Sequence, residues 1–246
     1  PNLPDRLGGL VRACMGCHDA AVGLRLPFIS GKDSLFNEYR TADGESIPIP
    51  GTLLISAIGV VPDVGRTCSS CLKNAGNLFY LVGATEDDLG GSLHWHLRGV
   101  PGDRAPIAEP KRARGTFSAV HRAIKAGLVR ACHDPSEGGL AVAAAEMAIG
   151  AGGLGLEIDL GSVPSRGGVG AEAVLFGESP TRFLIEVAPT DAAALERVLG
   201  RRTWARVGRV LDEPVLRLVG LGASIEAPVD RLRRIWRAPL REEVTA

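Results

Sequence analysis

The sequence has few aromatic residues, no excess of either charge and no long apolar run. Phe, Trp and Tyr make up only 4% of the 246 residues, which argues against a protein that stacks nucleic-acid bases on aromatic rings. Lysine plus arginine (28) equals aspartate plus glutamate (28), so no overall basic field attracts nucleic acid or anionic lipid. No apolar segment reaches the roughly 20 residues of a membrane-spanning helix. We therefore expect neither nucleic acid nor membrane as a partner.

The chain also lacks an initial methionine and a charged-then-apolar leader, since it begins with Pro1 and Asn2. These absences lead us to expect a cytoplasmic protein and an excised piece of a longer chain. Glycine, by contrast, is abundant at 32 residues, nearly twice the average usage. Glycine at this frequency predicts tight turns and close approach of the backbone to a ligand.

Several familiar catalytic fingerprints are missing as well. The sequence contains no P-loop, no G-x-G-x-x-G, no G-x-S-x-G and no Ser-His-Asp order. His94 and His96 are a tempting metal pair, but on a predicted helix their spacing of two places them on different faces. Any active site therefore has to be sought in other patterns.

Two cysteine pairs have C-x-x-C spacing, and Cys14, Cys17 and His18 match the haem-attachment pattern. Their surroundings favour another interpretation, because Cys14 and Cys17 continue an apolar stripe at intervals of three and four residues. Such a stripe predicts a helix that packs both cysteines against a core as small hydrophobic residues. A metal or redox protein built on Cys68, Cys71 and the first pair remains a distant alternative.

The order of apolar segments favours an α+β fold with a mixed sheet, because strands and helices do not alternate strictly. Helices are predicted over residues 7–23, 117–127, 140–149, 190–198 and 228–236, with a short one near residue 97. Strands are predicted over residues 26–29, 52–61, 77–83, 128–132, 153–160, 181–187, 204–211 and 215–219. Residues 62–75 and 99–116 are predicted as connections.

Three segments combine glycine, acids and hydroxyls where a strand or helix begins or ends. In residues 30–34 Gly31 permits close approach to a phosphate, Lys32 can neutralise its charge, and Asp33 offers Mg²⁺ a hard oxygen. Residues 133–139 precede a predicted helix whose first amides can bind an anion. Residues 175–180 form a glycine-containing loop before a strand. The alternative explanation is a polar turn for the first segment and a well-capped helix for the second. A tight turn explains the third segment equally well.

Taken in order, five segments resemble the C-terminal part of phosphoribosylformylglycinamidine synthase, the synthetase component, within the superfamily related to aminoimidazole ribonucleotide (AIR) synthetase. The segments are PFISGKDSLFNEY (27–39), IPGTLLISAIGVV (49–61), NLFYLVGATEDDLGGS (77–92), HDPSEGGLAVAAAEMA (133–148) and LFGESPTRFLIEV (175–187). The resemblance implies a fold of tandem PurM-like units. Residues 1–64 would end a second, partial N-terminal domain, residues 65–76 would be a linker, and residues 77–246 would be a complete C-terminal α+β domain.

The resemblance also implies an ATP-dependent amidoligase of purine biosynthesis, which converts formylglycinamide ribonucleotide and glutamine-derived ammonia to the amidine. ATP and Mg²⁺ are the implied cofactors, and a glutaminase subunit and a small accessory subunit are the implied partners. Gly31 and Lys32 would bind ATP and Ser34 the substrate. Many members have a metal-ligating Asn at the position of Lys32, which as a protonated lysine cannot ligate Mg²⁺, so Asp33 is the better metal candidate.

No catalytic residue is expected in this chain, because in the family the general base and most substrate contacts belong to the first copy. A candidate auxiliary nucleotide site is implied instead at Asp134, Ser136, Glu178 and Ser179. By itself the chain is therefore expected to be inactive. Two alternatives stay open, another ATP-binding enzyme of the same superfamily and a non-catalytic scaffold half with a structural nucleotide site.

Overall fold

The computed structural model of the chain describes residues 3–102 and 104–242. They fall into two compact units, which we describe separately. Unit 1 extends to Pro62 and includes Glu109–Arg114, whereas unit 2 consists of Asp63–Ala108 and the chain from Gly115 onward. The domain boundaries expected from the resemblance stay a prediction, and the last four residues of the predicted C-terminal domain, 243–246, lie outside the described residues.

Unit 1 begins with helix α1, Pro4–Leu24, followed by a small hairpin of β1, Glu38–Arg40, and β2, Ser46–Pro48. Proline in the first turn suits the start of α1 because its missing N–H would have no intrahelical partner there. Neither α1, with 21 residues, nor another helix in the described part of the chain is long and apolar enough to cross a membrane. The hairpin was not predicted from the sequence.

The predicted helix over residues 7–23 is confirmed, but the predicted packing of its cysteine stripe is wrong for Cys14. Cys14 is exposed and Cys17 is half-buried. The stripe residue Leu7 is also 47% exposed. The residues described around α1 cover only part of its apolar face, so helical periodicity alone overstated the burial of this face.

The predicted strands over residues 26–29 and 52–61 are not formed, and both segments are irregular. A strand requires a neighbour that accepts and donates backbone hydrogen bonds. Among the described residues neither segment has a paired strand, and apolar side chains of the second segment such as Leu54 and Val60 are 88% and 90% exposed. The apolar pattern was real, but the pairing that it requires is absent from the described structure.

Unit 2 is built on a seven-stranded sheet with the strand order β4-β6-β3-β7-β5-β8-β9. The strands are β3 Leu78–Val82, β4 Ala131–His133, β5 Gly155–Asp159, β6 Phe183–Val187, β7 Trp204–Leu211, β8 Val215–Gly220 and β9 Ala223–Pro228. Only the β5–β8 pair is parallel, so the sheet is mixed. The predicted fold class, α+β with a mixed sheet, is confirmed.

Six more helices are described along the rest of the chain. They are α2 Leu93–Leu97, α3 Pro110–Lys125, α4 Gly139–Ile149, α5 Ala171–Phe176, α6 Ala192–Leu199 and α7 Val229–Glu242. Buried side chains of α4 and α5 form one core with one face of the sheet, where Leu156 and Met147 are fully buried. Side chains of α3 and α6 form a second core on the opposite face around Tyr80 and Ile185.

Several element boundaries in unit 2 differ from the prediction. The predicted connection over residues 99–116 is wrong from Pro110 onward, where α3 begins. Pro110 can begin a helix, and the Lys, Arg and Ala residues that follow sustain one. The strands predicted over 128–132 and 181–187 begin later, at Ala131 and Phe183. The latter strand cannot begin at Thr181, whose φ of 64° is left-handed. Neither α5 nor β9 was predicted.

Candidate functional site

Loops from three of the five segments that resemble the family meet in unit 2. We call residues 83–93, 133–139 and 175–182 the loop cluster. The Ser179 hydroxyl accepts a hydrogen bond of 2.9 Å from the backbone N–H of Glu86. The carboxylate of Glu178 accepts one of 2.9 Å from the N–H of Gly138. Segments that are far apart in the sequence are therefore joined by the two side chains of the third segment.

Glycine allows two of these segments to approach each other closely. Gly139 has a φ of 67°, and a Cβ at this position would lie 2.7 Å from the carbonyl oxygen of Gly177. No larger residue fits there without moving backbone atoms. The G-G pair in residues 133–139 thus serves the contact between loops as well as the start of α4.

Asp134 and Ser136 lie on the exposed rim of the loop cluster. The Ser136 hydroxyl donates a hydrogen bond of 2.7 Å to Asp134 Oδ2. This bond is the main reason why the pKa of Asp134 lies below its ordinary value, and it outweighs the opposing effect of partial burial. The rim therefore presents an ionised carboxylate beside a hydroxyl at neutral pH, an arrangement that can bind a divalent cation through oxygen.

The sequence analysis missed His133, which lies between two carboxylates next to this rim. Its Nε2 is 2.9 Å from Glu146 Oε2, and its Nδ1 is 3.4 Å from Asp134 Oδ1. Glu146 lies on α4, one residue before the buried Met147. A histidine directly before the D-x-S motif was the available signal, but nothing in the sequence revealed that Glu146 would face it.

Glu178, which is partly buried, and Ser179, which is buried, are both engaged in hydrogen bonds between the loops. Ser179 is 2% exposed, and Glu178 Oε1 also accepts a hydrogen bond of 2.9 Å from the N–H of Leu93. In the described part of the chain every buried side-chain nitrogen or oxygen has a hydrogen-bond partner. The interior of the loop cluster is thus complete as it stands, and the groups free to meet a ligand are those on the rim.

Arg182 is a second residue that the sequence analysis did not single out. It is 1% exposed, and burial lowers the pKa of its guanidinium to about 10, although the charges of Asp88 and Glu178 oppose this effect. Arg182 therefore stays protonated at neutral pH. The available signal was a charged residue at the start of an apolar strand, where an unpaired charge would be costly.

The Gly31–Ser34 segment lies in unit 1 and is exposed along its whole length. Lys32 Nζ donates hydrogen bonds to the backbone oxygen of Asp33 and, at 3.0 Å, to Ser34 Oγ. A Cβ at Gly31 would have no neighbouring atom within 4 Å. The segment therefore has room for a phosphate next to an ammonium group and a hydroxyl.

A metal ion at Asp33 would need most of its ligands from water or a bound phosphate. Nowhere in residues 3–102 and 104–242 do three His, Cys, Asp or Glu side chains come together in a way that could hold a metal. Mg²⁺ commonly binds through one or two carboxylates, several waters and substrate phosphates. Asp33 and Asp134 therefore fit a magnesium ion only as one ligand among phosphate oxygens and water.

A surface depression of about 390 Å³ in unit 2 has none of the candidate ATP, substrate or magnesium residues in its lining. It is lined by the turn around Arg66 and by the end of α3 with the residues that follow it. Arg66 and Arg130 at its edge are each paired with an aspartate, Asp63 and Asp191. The depression has no free charge from these two arginines and does not extend the candidate sites.

Sequence comparison finds similar proteins that are named phosphoribosylformylglycinamidine synthase subunit PurL. The relative from Gloeobacter violaceus is 36% identical over 239 residues, which cover 95% of this chain and 30% of the relative. The relative from Deinococcus radiodurans is 34% identical over 98% of this chain and 33% of its own length. The resemblance inferred from the motifs is confirmed, and the chain spans about a third of the length of these curated relatives.

Solved structures agree on the fold. Thermotoga maritima PurL complexed with ATP matches with a TM-score of 0.59 and 22% identity over 69% of this chain and 28% of that chain. The same protein complexed with FGAR matches with a TM-score of 0.60 and 22% identity over 69% of this chain and 30% of that one. A family profile described as AIR synthase related protein, C-terminal domain, matches residues 74–220. This match includes the whole loop cluster and more than half of the chain, which therefore belongs to the AIR synthase-related C-terminal domain family.

Proposed function

We propose that this chain is part of a phosphoribosylformylglycinamidine synthase, an ATP-dependent ligase of purine biosynthesis. The observation that carries the proposal is similarity along 95% of the chain to a relative of that name. This similarity includes the motif segments that meet in the loop cluster. The proposed reaction joins ammonia derived from glutamine to formylglycinamide ribonucleotide, with ATP activating the formamide oxygen.

The Gly31–Ser34 segment is the proposed contribution of this chain to the active site. Gly31 leaves space for a phosphate, and the ammonium of Lys32 would neutralise part of its charge. Asp33 would share a magnesium ion with phosphate oxygens, and Ser34 would meet the substrate. The solved PurL complexes with ATP and with FGAR support these two ligands.

A second role is proposed for the loop cluster, a structural nucleotide site. Its interior hydrogen bonds are complete, which favours a framework whose ligand adds stability rather than undergoes reaction. Asp134 and Ser136 would contact such a nucleotide through Mg²⁺, whereas Glu178 and Ser179 would hold the loops. This role makes unit 2 a scaffold within the enzyme.

The partners of the intact enzyme are proposals too. A solved assembly called PurLQS supports an association with other subunits, and we propose that these are the glutaminase and a small accessory subunit. A cytoplasmic location follows from the proposed place in purine biosynthesis. By itself the chain is proposed to be inactive, because it spans about a third of its relatives.

The test is an activity measurement on the full protein that contains this chain. Purified protein is supplied with formylglycinamide ribonucleotide, ATP, Mg²⁺ and ammonium chloride, and the release of ADP and amidine is followed. We expect Asp33→Asn to lower kcat/KM at least about tenfold, as for a lost charge-assisted contact to a phosphate-bound ion. Asp43→Asn, an exposed acid in the same unit, is the matched control.

The outcomes separate the two roles. Absence of amidine with these substrates would overturn the proposed reaction. If Asp33→Asn leaves turnover unchanged while Asp134→Asn lowers the melting temperature and the nucleotide content of the purified protein, the scaffold role stands without a catalytic role for residues 31–34. Another ATP-dependent enzyme of the superfamily would instead consume ATP only with a different acceptor.

A further inference from the structure

The Glu178 carboxylate connects the starts of two helices. Its Oε1 accepts hydrogen bonds of 2.9 Å from Leu93, the first residue of α2, and of 2.9 Å from Gly138, the residue before α4. Amides at helix starts have no intrahelical partner and carry partial positive charge. One carboxylate oxygen thus satisfies both amides and sets the separation between the two segments.

Arg182 fixes the backbone on both sides of Glu178. Its Nε donates a hydrogen bond of 2.9 Å to the carbonyl of Ser179, and its Nη2 one of 2.5 Å to the carbonyl of Gly177. Its Nη1 donates to the Thr85 hydroxyl at 3.1 Å, which extends the contact to the first loop. The two residues that flank Glu178 are therefore held by a single buried guanidinium, which restricts the direction in which the carboxylate can point.

Further bonds tie the same segment to the loop after β3. The N–H of Glu178 donates to the carbonyl of Asp88 at 2.9 Å, and the Ser179 hydroxyl accepts from the N–H of Glu86. Gly83 leaves no room for a side chain here, since a Cβ would lie 2.5 Å from the carbonyl oxygen of Thr181. All three segments of the loop cluster depend on the geometry around Glu178.

We propose that Glu178 and Arg182 are positioning residues of the loop cluster. They hold the start of α4 in place, and with it the rim that bears Asp134 and Ser136, whereas neither of them contacts the nucleotide. The inference rests on the proposed nucleotide site in unit 2 and refines it. Because Glu178 already occupies the amides of Leu93 and Gly138, a bound phosphate does not use these amides and meets the rim through Mg²⁺ instead.

The experiment compares Glu178→Ala, Glu178→Gln, Arg182→Met and Arg182→Lys with the unaltered chain in two measurements. Hydrogen exchange at the amides of Leu93 and Gly138 reports the geometry, and calorimetric titration with MgADP reports binding. Asp212→Asn, an exposed acid outside the loop cluster, and Arg201→Met, an exposed arginine, are the controls. All titrations are made well below the melting temperature of each variant.

We expect Glu178→Ala to accelerate exchange at both amides and to weaken MgADP binding, each by at least about tenfold, as for loss of hydrogen bonds to a charged acceptor. Glu178→Gln, which keeps an acceptor oxygen, should recover part of both effects. Arg182→Met should accelerate exchange at the same two amides without having contacted either, and Arg182→Lys should be milder. The two controls should match the unaltered chain.

Two results would overturn the inference. One is unchanged exchange at Leu93 and Gly138 in a folded Glu178→Ala chain, and the other is accelerated exchange with unchanged MgADP affinity. If Glu178→Ala fails to fold, the milder variants Glu178→Gln and Arg182→Lys decide by the same criteria. If the unaltered chain binds no MgADP, the proposed nucleotide site fails, whereas the exchange measurement still decides whether the two residues position the loops.

Discussion

Two segments, residues 52–61 in unit 1 and strand β3 in unit 2, are both apolar but lie in different environments. Phe79 and Leu81 of β3 are fully buried between β6 and β7. Residues 52–61, in contrast, lie irregular and exposed, with Leu54 at 88%. An apolar run thus indicates a capacity for pairing and burial, and neighbouring strands determine whether that capacity is used.

The same contrast extends to polar groups. Unit 2 buries charged side chains because it surrounds them with partners, as at Glu186 and Arg182. The hydrogen bonds of the charged side chains in unit 1, such as those of Lys32 and Glu38, are exposed. Substitution of a buried charged residue in unit 2 should therefore lower the free energy of unfolding substantially. Substitution of an exposed charged residue in unit 1 should hardly change it.

The largest effect is expected at Glu186, a fully buried acid on β6. Its carboxylate accepts hydrogen bonds from the N–H groups of Lys73 and Asn74, at 2.8 and 3.0 Å, and from the Asn77 side chain at 2.6 Å. Glu186→Ala leaves three donors without a partner, at about 1–3 kcal/mol each before water compensates. We expect a loss of roughly 4 kcal/mol in the free energy of unfolding, measured by urea denaturation.

Two controls accompany this prediction. Glu186→Gln keeps one acceptor oxygen and should lose less than the alanine variant. Glu45→Ala, at an exposed acid of unit 1, should stay within about 0.5 kcal/mol of the unaltered chain. A Glu186→Ala chain that loses less than about 1 kcal/mol would contradict the view that this acid fastens the segment before β3 to the sheet.

A matched pair of leucines gives the next largest effect. Leu156 on β5 is fully buried, whereas Leu54 is 88% exposed. Leu156→Ala should cost roughly 3 kcal/mol through lost burial and the cavity left behind, and Leu54→Ala should stay within about 0.5 kcal/mol. Denaturation of both variants side by side tests the contrast, and equal losses would show that residues 52–61 are buried in the folded chain.

The extent to which sequence predicted the structure follows the same division. Apolar periodicity located α4, β7 and β8 because these elements find their partners within unit 2. The motifs singled out loops that the structure brings together, and their function stays a prediction. They did not predict that Glu178 would join Leu93 to Gly138, because such long-range bonds leave no local pattern. Arg182 was overlooked because a charged residue is ordinarily assigned to the surface.

Cysteine reactivity provides a third comparison. Burial, together with the nearby Cys68 and Asp134, raises the pKa of the Cys132 thiol to about 12. At pH 8 only about one in ten thousand Cys132 side chains is then the reactive thiolate. Cys14 on α1 is exposed, so iodoacetamide should label it at least about a hundredfold faster. Peptide mass spectrometry over time measures the two rates, and equal rates in the native chain would refute the expected burial of Cys132.

The smallest effect concerns the rim of the loop cluster, an exposed part of unit 2. The Ser136 hydroxyl lowers the pKa of Asp134, so the ionised carboxyl is favoured in the folded state. This contribution to stability is present above the unfolded pKa of about 3.9 and is lost as the pH falls through the lower folded pKa.

Ser136→Ala should raise the pKa of Asp134 in an NMR titration, whereas Ser136→Thr, which retains the hydroxyl, should not. The stability difference between the alanine variant and the unaltered chain should be only a few tenths of a kcal/mol near neutral pH, because water screens the exposed carboxylate, and it should vanish in acid. A pKa that is unchanged in Ser136→Ala would mean that the hydroxyl does not hold the Asp134 carboxylate in the folded chain.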